Sequence, residues 1–459
     1  MLTPIGRRWA DTPFAPKRFP VPYGLAVVGL GTLGVLASAP GQTIGVSAFT
    51  EPLIAALPLE RVDLSAAYLF GTLTSGLILT HVGRFYDRFG ARVTAPLAAA
   101  GLGLVLLLLS QCEAASAWLG ARLAGVLSPA WAATLVMAIG FFLLRFLGQG
   151  ALTLVSRNMI MKWFDSRRGL ANGISSVFIS LGFSLTPTLF NDLIQATDWR
   201  RAWQILAVAI GGGFALFAWA TFRDTPEACG LPVDAGLAPP KENPIFRVHR
   251  DFTLPEARRT ATFWIFALSL SMFSLFITAL TFHIASIFGE SGMTRDEAYW
   301  IFVPSSVLAV VINLAAGVLS DRVRLKYLLI FTNVALAAMM TSVMLLRPGA
   351  PVWLLIAGNG AAGGLFGVLA GVTWPKCYGR THLGAISGMA MSMLVVASAL
   401  GPYLFSLSLD WTGGYRAAGA CCLAVTATLL VASFRADNPQ EALAPAEDDG
   451  DTPPPDGDA

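Results

Sequence analysis

Twelve stretches of this chain are each long and apolar enough to cross a lipid bilayer, which takes about 20 residues as a helix. They run over 23–48, 64–82, 93–111, 131–154, 170–193, 202–221, 262–287, 298–319, 327–346, 352–373, 384–407 and 416–434, and are called spans 1 to 12 below. Backbone amides find no water in hydrocarbon, so such stretches must satisfy their own hydrogen bonds as helices. The alternative is a closed barrel, whose strands of about ten residues alternate apolar and polar residue by residue, and that pattern is absent. Composition agrees. Of 459 residues, 55% are hydrophobic and 13% charged, against about 45–50% and about 25% in soluble domains. The expected fold class is an all-α membrane protein with 12 transmembrane helices.

The N-terminus imitates a secretion signal. Arg7, Arg8, Lys17 and Arg18 precede an apolar run that ends in Ala37-Ser38-Ala39. Pro40 would sit just past the cut and the apolar run continues, so an uncleaved first helix kinked near Pro40-Gly41 is expected. Orientation follows from where the cations fall. With the N-terminus inside, the inner segments hold 23 Lys and Arg, the outer loops hold 7, and Arg145 lies mid-span. Both termini are therefore expected in the cytoplasm, across a bacterial-type inner membrane. Five cysteines and four histidines form no metal-ligand spacing, and no phosphate loop or nucleophile elbow occurs. Neither an enzyme, a cofactor nor a nucleic-acid partner is indicated.

The longest polar segment, 222–261, divides the spans six and six. The domain reading is a cytoplasmic N-terminus (1–22), a six-helix bundle (23–221), a central loop (222–261), a second bundle (262–434) and a disordered acidic tail (435–459). Internal matches point to duplication. Gly83, Asp87 and Arg88 correspond to Gly317, Asp321 and Arg322, 234 residues later. The pair Gly169 and Gly173 corresponds to Gly384 and Gly388, 215 later, and Trp199-Arg200 to Tyr415-Arg416, 216 later. The first half thus carries about 19 extra residues, placed at 112–130, as either a short interfacial helix or an extension of the two flanking spans.

The loop Gly83-x-x-x-Asp87-Arg88-x-Gly90-x-Arg92 resembles the signature loop of the major facilitator superfamily. Gly83 would let helices approach closely. Asp87 would accept hydrogen bonds from a facing helix N-terminus, and Arg88 and Arg92 would hold the loop to acidic or phosphate partners. In the second copy Arg324 replaces the second glycine while Lys326 keeps the final cation, so the lock between halves is expected to be asymmetric. Two further stretches resemble the superfamily: Arg145-Phe-Leu-Gly-Gln149-Gly150, and Thr225-Pro226-Glu227 leading to Gly230. Gly45-Val-Ser-Ala-Phe49, Lys162-Trp163-Phe164 and Tyr378-Gly379-Arg380 are similar to the bacterial oxalate/formate and monocarboxylate transporter branch. The resemblance implies two six-helix halves around a central cavity and secondary transport by alternating access.

Ionisable and amide groups inside spans are the candidates for a substrate site. They are Arg145 and Gln149 in span 4, His283 near the outer end of span 7, Gln42 at the span 1 kink, Asn313 in span 8 and Asn359 in span 10. No Asp or Glu lies well inside a span, which disfavours export of cations and favours an anionic solute. Yet the branch sets basic residues in span 8 and in span 1 or 11, and here these spans offer none. Either Arg145 or His283 then supplies the charge, or the substrate is less acidic, with His283 or the substrate carrying a coupled proton. The expected partners are a small anionic solute, the lipid bilayer and protons, with the chain monomeric. Efflux of a neutral compound and solute sensing without transport are the alternatives.

Overall fold

The computed structural model describes residues 11–236 and 248–443. Arg7, Arg8 and most of the expected acidic tail lie outside the described residues. Every described element is helical, and eleven helices are long and apolar enough to cross a membrane. These are Arg61–Phe89 (span 2), Ala91–Leu109 (3), Pro129–Trp163 (4), Arg168–Ala196 (5), Trp199–Thr221 (6), Ala261–Glu290 (7), Asp296–Ser320 (8), Leu325–Met344 (9), Ala350–Tyr378 (10), Leu383–Thr412 (11) and Arg416–Ser433 (12). Span 1 is broken into Tyr23–Ala37, a tight turn at Ala39–Gly41, and short helices Thr43–Ser47 and Thr50–Ala56. Pro40 supplies no N–H to continue the helix, so the break falls where the sequence placed it.

That break brings spans 1 and 4 together. A Cβ on Gly41 would lie 2.5 Å from the Leu144 carbonyl oxygen and 2.8 Å from the Gly148 Cα. Opposite the kink, span 4 carries a π-helical segment, Arg145–Leu152. A π turn takes up an extra residue and re-aims the side chains around it. The extra residues of the first half form a separate helix, Cys112–Arg122, which ends well before Pro129 opens span 4. Its Trp118 is exposed and carries Arg122 over its ring, 5.7 Å away.

The loops after spans 2, 4, 8 and 10 gather at one end of the bundle with the central loop; this end is called the basic end. Asp234 accepts from the backbone amides of Asp165 (2.9 Å), Ser166 (3.1 Å) and Arg167 (3.3 Å), and from the Ser166 hydroxyl (2.6 Å). Asp251 does the same for the equivalent turn of the second half, with Arg380 N at 2.7 Å, Thr381 N at 3.3 Å and the Thr381 hydroxyl at 2.6 Å. Burial pushes both carboxyls up, but these hydrogen bonds outweigh it and hold both below the usual carboxylate range.

Residues 435–443, assigned above to a disordered tail, pack against this end. Gln440 is 1% exposed. Its Oε1 accepts from the amides of His249 (2.9 Å) and Arg250 (3.1 Å), and its Nε2 donates to the carbonyls of Arg250 (2.8 Å) and Cys377 (3.1 Å). Four directional bonds on one amide offset the ordering of this segment. Acidic composition gave no hint of it, because the anchoring residue is neutral.

Candidate functional site

The two halves are joined at the basic end by a pair of matching devices. The Asp87 carboxylate, at the end of span 2, accepts from Gly384 N and Ala385 N, both at 2.8 Å. These amides open span 11 of the other half. Asp321, at the end of span 8, accepts from Gly169 N (3.0 Å) and Leu170 N (3.2 Å), which open span 5 of the first half. A helix N-terminus offers free N–H groups and a positive dipole end, so each carboxylate is well matched. Each also has a lysine from its own half: Lys162 Nζ is 3.6 Å from Asp87, and Lys376 Nζ is 2.6 Å from Asp321.

Glycine makes the approach possible. A Cβ on Gly83 would lie 1.9 Å from the Gly384 carbonyl oxygen, and one on Gly169 would lie 2.0 Å from that of Gly317. No side chain fits, because the obstructing atom is backbone in both cases.

The two copies share the aspartate–amide contacts and differ in the turn that follows. Gly90 ends span 2 with φ 81, a conformation that favours glycine. The second copy turns differently, and Arg324 has φ −57, which any residue adopts. The missing glycine therefore costs nothing, and Arg324 instead pairs with Glu441 at 3.3 Å. Arg92 is buried, donating through Nε to the Trp219 carbonyl (3.0 Å), while its backbone N–H donates to Asp224 (3.1 Å). Arg88 is exposed and lies over the Phe89 ring at 5.2 Å, with no acidic partner among the described residues. Arg322 is exposed as well.

Further hydrogen bonds between the halves cluster in the basic half of the molecule. Besides the two locks, Asn158 Nδ2 donates to Ser387 Oγ (2.7 Å) and Asn172 Nδ2 to the Gly367 carbonyl (2.9 Å). Arg380 Nη1 donates to the Lys162 carbonyl (2.7 Å), Arg168 Nη1 to that of Pro375 (3.4 Å), and Thr80 meets Ser392 (3.4 Å). This arrangement is shut at the basic end.

The substrate candidates do not converge on one point. Arg145 is 3% exposed. Its Nη1 donates to the Gly41 carbonyl and to Thr43 Oγ1, both at 3.2 Å, and its guanidinium lies 5.1 Å over the Tyr68 ring. It thus fastens span 4 to the span 1 kink within one half. Gln42 belongs to the same joint, with Nε2 on Ser38 Oγ (2.9 Å) and Thr153 Oγ1 (3.1 Å). Gln149 is half-buried with its Oε1 enclosed and unpartnered.

His283 is half-buried, and its hydrogen-bond partners among the described residues come from the second half. Its Nε2 donates to the Pro402 carbonyl at 3.0 Å, and Nδ1 faces the Tyr415 hydroxyl at 3.3 Å. Asn313 donates to the Gly364 carbonyl (3.0 Å) and leaves Oδ1 unpartnered, while Asn359 is buried on span 10.

Two cations were misplaced by sequence. The span 4 helix runs to Trp163, so Arg157 and Lys162 lie inside it rather than in the loop. Counting them as loop cations satisfied the topology rule and hid them. The signal that finds Lys162 is repetition: Lys162-Trp-Phe and Lys376-Cys-Tyr stand 214 residues apart, in step with the other matches.

The chain belongs to the major facilitator superfamily, whose family model matches residues 24–375 and 262–456. No curated protein matches it. Among solved structures it is similar to the proton:xylose symporter XylE bound to 6-bromo-6-deoxy-D-glucose, at 18% identity and TM-score 0.58, covering 92% of this chain and 99% of that one. A double tryptophan mutant of XylE matches at 17% identity and TM-score 0.58, over 90% of this chain and 95% of that one. FucP in the outward conformation matches at 13% identity and TM-score 0.57, over 90% and 99%. These likenesses show the fold, and the family makes the chain a membrane transporter.

Proposed function

We propose that this chain is a secondary transporter of a small organic anion, a monocarboxylate being the reference substrate, working by alternating access between two six-helix halves. The observation that carries the reading is the pair of carboxylate locks, Asp87 on Gly384 and Ala385, and Asp321 on Gly169 and Leu170. Both sit at one end, both join opposite halves, and both consist of hydrogen bonds that can be broken and remade without unfolding a helix. A transporter needs such a closure at each end in turn.

The cation count supports the basic end as cytoplasmic, with both termini there and the chain in a bacterial-type inner membrane. The charge inventory supports an anion. Lys162, Lys376, Arg145 and Arg157 are enclosed within the spans, and the carboxylates paired with the two lysines are the lock aspartates. A carboxylate-free interior suits a negatively charged or neutral solute and offers nothing to an organic cation. Uptake coupled to protons would let the anion cross as a neutral pair.

The test is counterflow in proteoliposomes loaded with unlabelled monocarboxylate. Labelled monocarboxylate should accumulate transiently, and more so with an inward proton gradient. Absence of counterflow for every short carboxylate, with counterflow of a neutral sugar instead, would overturn the anion assignment and leave the transporter.

A further inference from the structure

We infer that Arg157 is the anion-binding residue of the transport path, the group that takes the carboxylate, or a like oxyanion, of the moving solute. This rests on the transport reading above and names its key contact. Residues 150–164 of span 4 and its exit are buried on all sides, with Arg157 alone in that run reaching accessible space. A helix enclosed all round by protein has no lipid face there. The space that Arg157 reaches is therefore internal.

The guanidinium has no ion pair and no hydrogen bond among the described residues, and its Nε is enclosed without a partner. Other enclosed cations of the interior are provided for. Lys162 has Asp87, Lys376 has Asp321, and Arg168 has Asp165 at 2.8 Å. Arg145 has the Gly41 carbonyl and Thr43. An unpaired buried charge is costly, and a protein retains one where a ligand supplies the counter-charge. Arginine holds five donors and no acceptor, so the ligand atom it asks for is an oxygen with negative charge, met bidentately by a carboxylate.

Span 4 concentrates such unmet groups. Of twelve enclosed side-chain atoms without a hydrogen-bond partner among the described residues, four are on this helix: Arg145 Nε, Gln149 Oε1, Ser156 Oγ and Arg157 Nε. Gln149 lies about 12 Å along the axis from Arg157, and the intervening π turn brings it towards the same face. Asn158, the next residue, bridges to Ser387 of the other half at 2.7 Å. An anion on Arg157 therefore sits one residue from a contact that must part when the basic end opens.

The experiment compares wild type with Arg157→Gln and Arg157→Lys in proteoliposomes, using labelled acetate, lactate and pyruvate, with thermal unfolding of each purified variant. Arg157→Gln should raise KM for the transported carboxylate at least tenfold, and Arg157→Lys should fall between, since an ammonium keeps the charge and loses the fork. The unfolding temperature of Arg157→Gln without ligand should equal or exceed that of wild type, because an unpaired charge has been removed. A structural arginine would give the opposite. Unchanged carboxylate KM in Arg157→Gln overturns this assignment and leaves the transport reading intact. Loss of uptake together with lower unfolding temperature in both variants overturns it in favour of a structural role. No carboxylate uptake by wild type overturns the anion reading and this assignment with it.

Discussion

Lys162 and Lys376 hold the same station in the two halves, each closing on the aspartate of its own half that caps a helix of the other. Lys162 Nζ stands 3.6 Å from Asp87 and 4.4 Å from the Tyr86 ring centre, while Lys376 Nζ stands 2.6 Å from Asp321. A carboxylate between a lysine and two backbone amides is strongly held, yet none of its contacts is covalent or helix-internal. The duplication has thus preserved a three-part device, whose glycine and aspartate are legible as a motif and whose lysine is not.

Replacing Asp87 by Asn should loosen the basic end. An amide keeps one acceptor but turns two donors towards the amides of Gly384 and Ala385, so at least one contact becomes repulsive. In a background without native cysteines, a cysteine at Ser387 should react with a maleimide from the basic side several-fold faster when Asp87→Asn is present. Asp321→Asn should act likewise, and the double variant more than either. An unchanged labelling rate would remove the lock from the account.

Gly83→Ala should fold and fail to close. The added methyl meets the Gly384 carbonyl oxygen at 1.9 Å, and the clash lies between halves rather than inside one. Transport should drop more than tenfold with little change in unfolding temperature. Gly169→Ala, against the Gly317 carbonyl, should give the same pairing of effects.

Arg145→Gln should destabilise without changing substrate affinity. Its hydrogen bonds to Gly41 and Thr43 tie span 1 to span 4, and a hydrogen bond to a charged group contributes about 1.5–3 kcal/mol. A lower unfolding temperature with unchanged KM is expected. A raised KM at unchanged stability would return Arg145 to the substrate site.

Acid should release the central loop. Asp234 and Asp251 are held below the usual carboxylate range because hydrogen bonds from the turns they cap outweigh burial. A carboxyl with a depressed folded-state value stabilises the fold above its unfolded-state value, about 3.9. That contribution is lost as pH falls through the lower folded-state value. Hydrogen exchange at Ser166 and Thr381 should be protected at neutral pH and rise below about pH 4. Asp251→Asn should abolish the pH dependence at Thr381 alone.

How much of this was legible in the sequence depends on the range of the interaction. Span positions, the Pro40 break and the duplicated Gly–Asp loop follow from hydropathy, proline chemistry and spacing, all local. The span 4 helix end was misjudged because Arg157 and Lys162 look like loop cations when counted by charge. Only the packing around them shows that the helix continues. Arg145 and His283 were singled out as lone ionisable groups, but their partners are a carbonyl 104 residues away and a carbonyl 119 residues away. Backbone acceptors leave no mark in a sequence. Gln440, neutral inside an acidic tail, was invisible for the same reason.

The most direct test of alternating access uses the Asn158–Ser387 contact, 2.7 Å between side chains of opposite halves. Cysteines placed at both positions, in a background without native cysteines, would be oxidised in proteoliposomes and counterflow measured before and after reduction. The account expects no counterflow while the bond is closed and full recovery on reduction. Counterflow at the unlinked rate with the bond intact would show that the basic end need not open, and would contradict it.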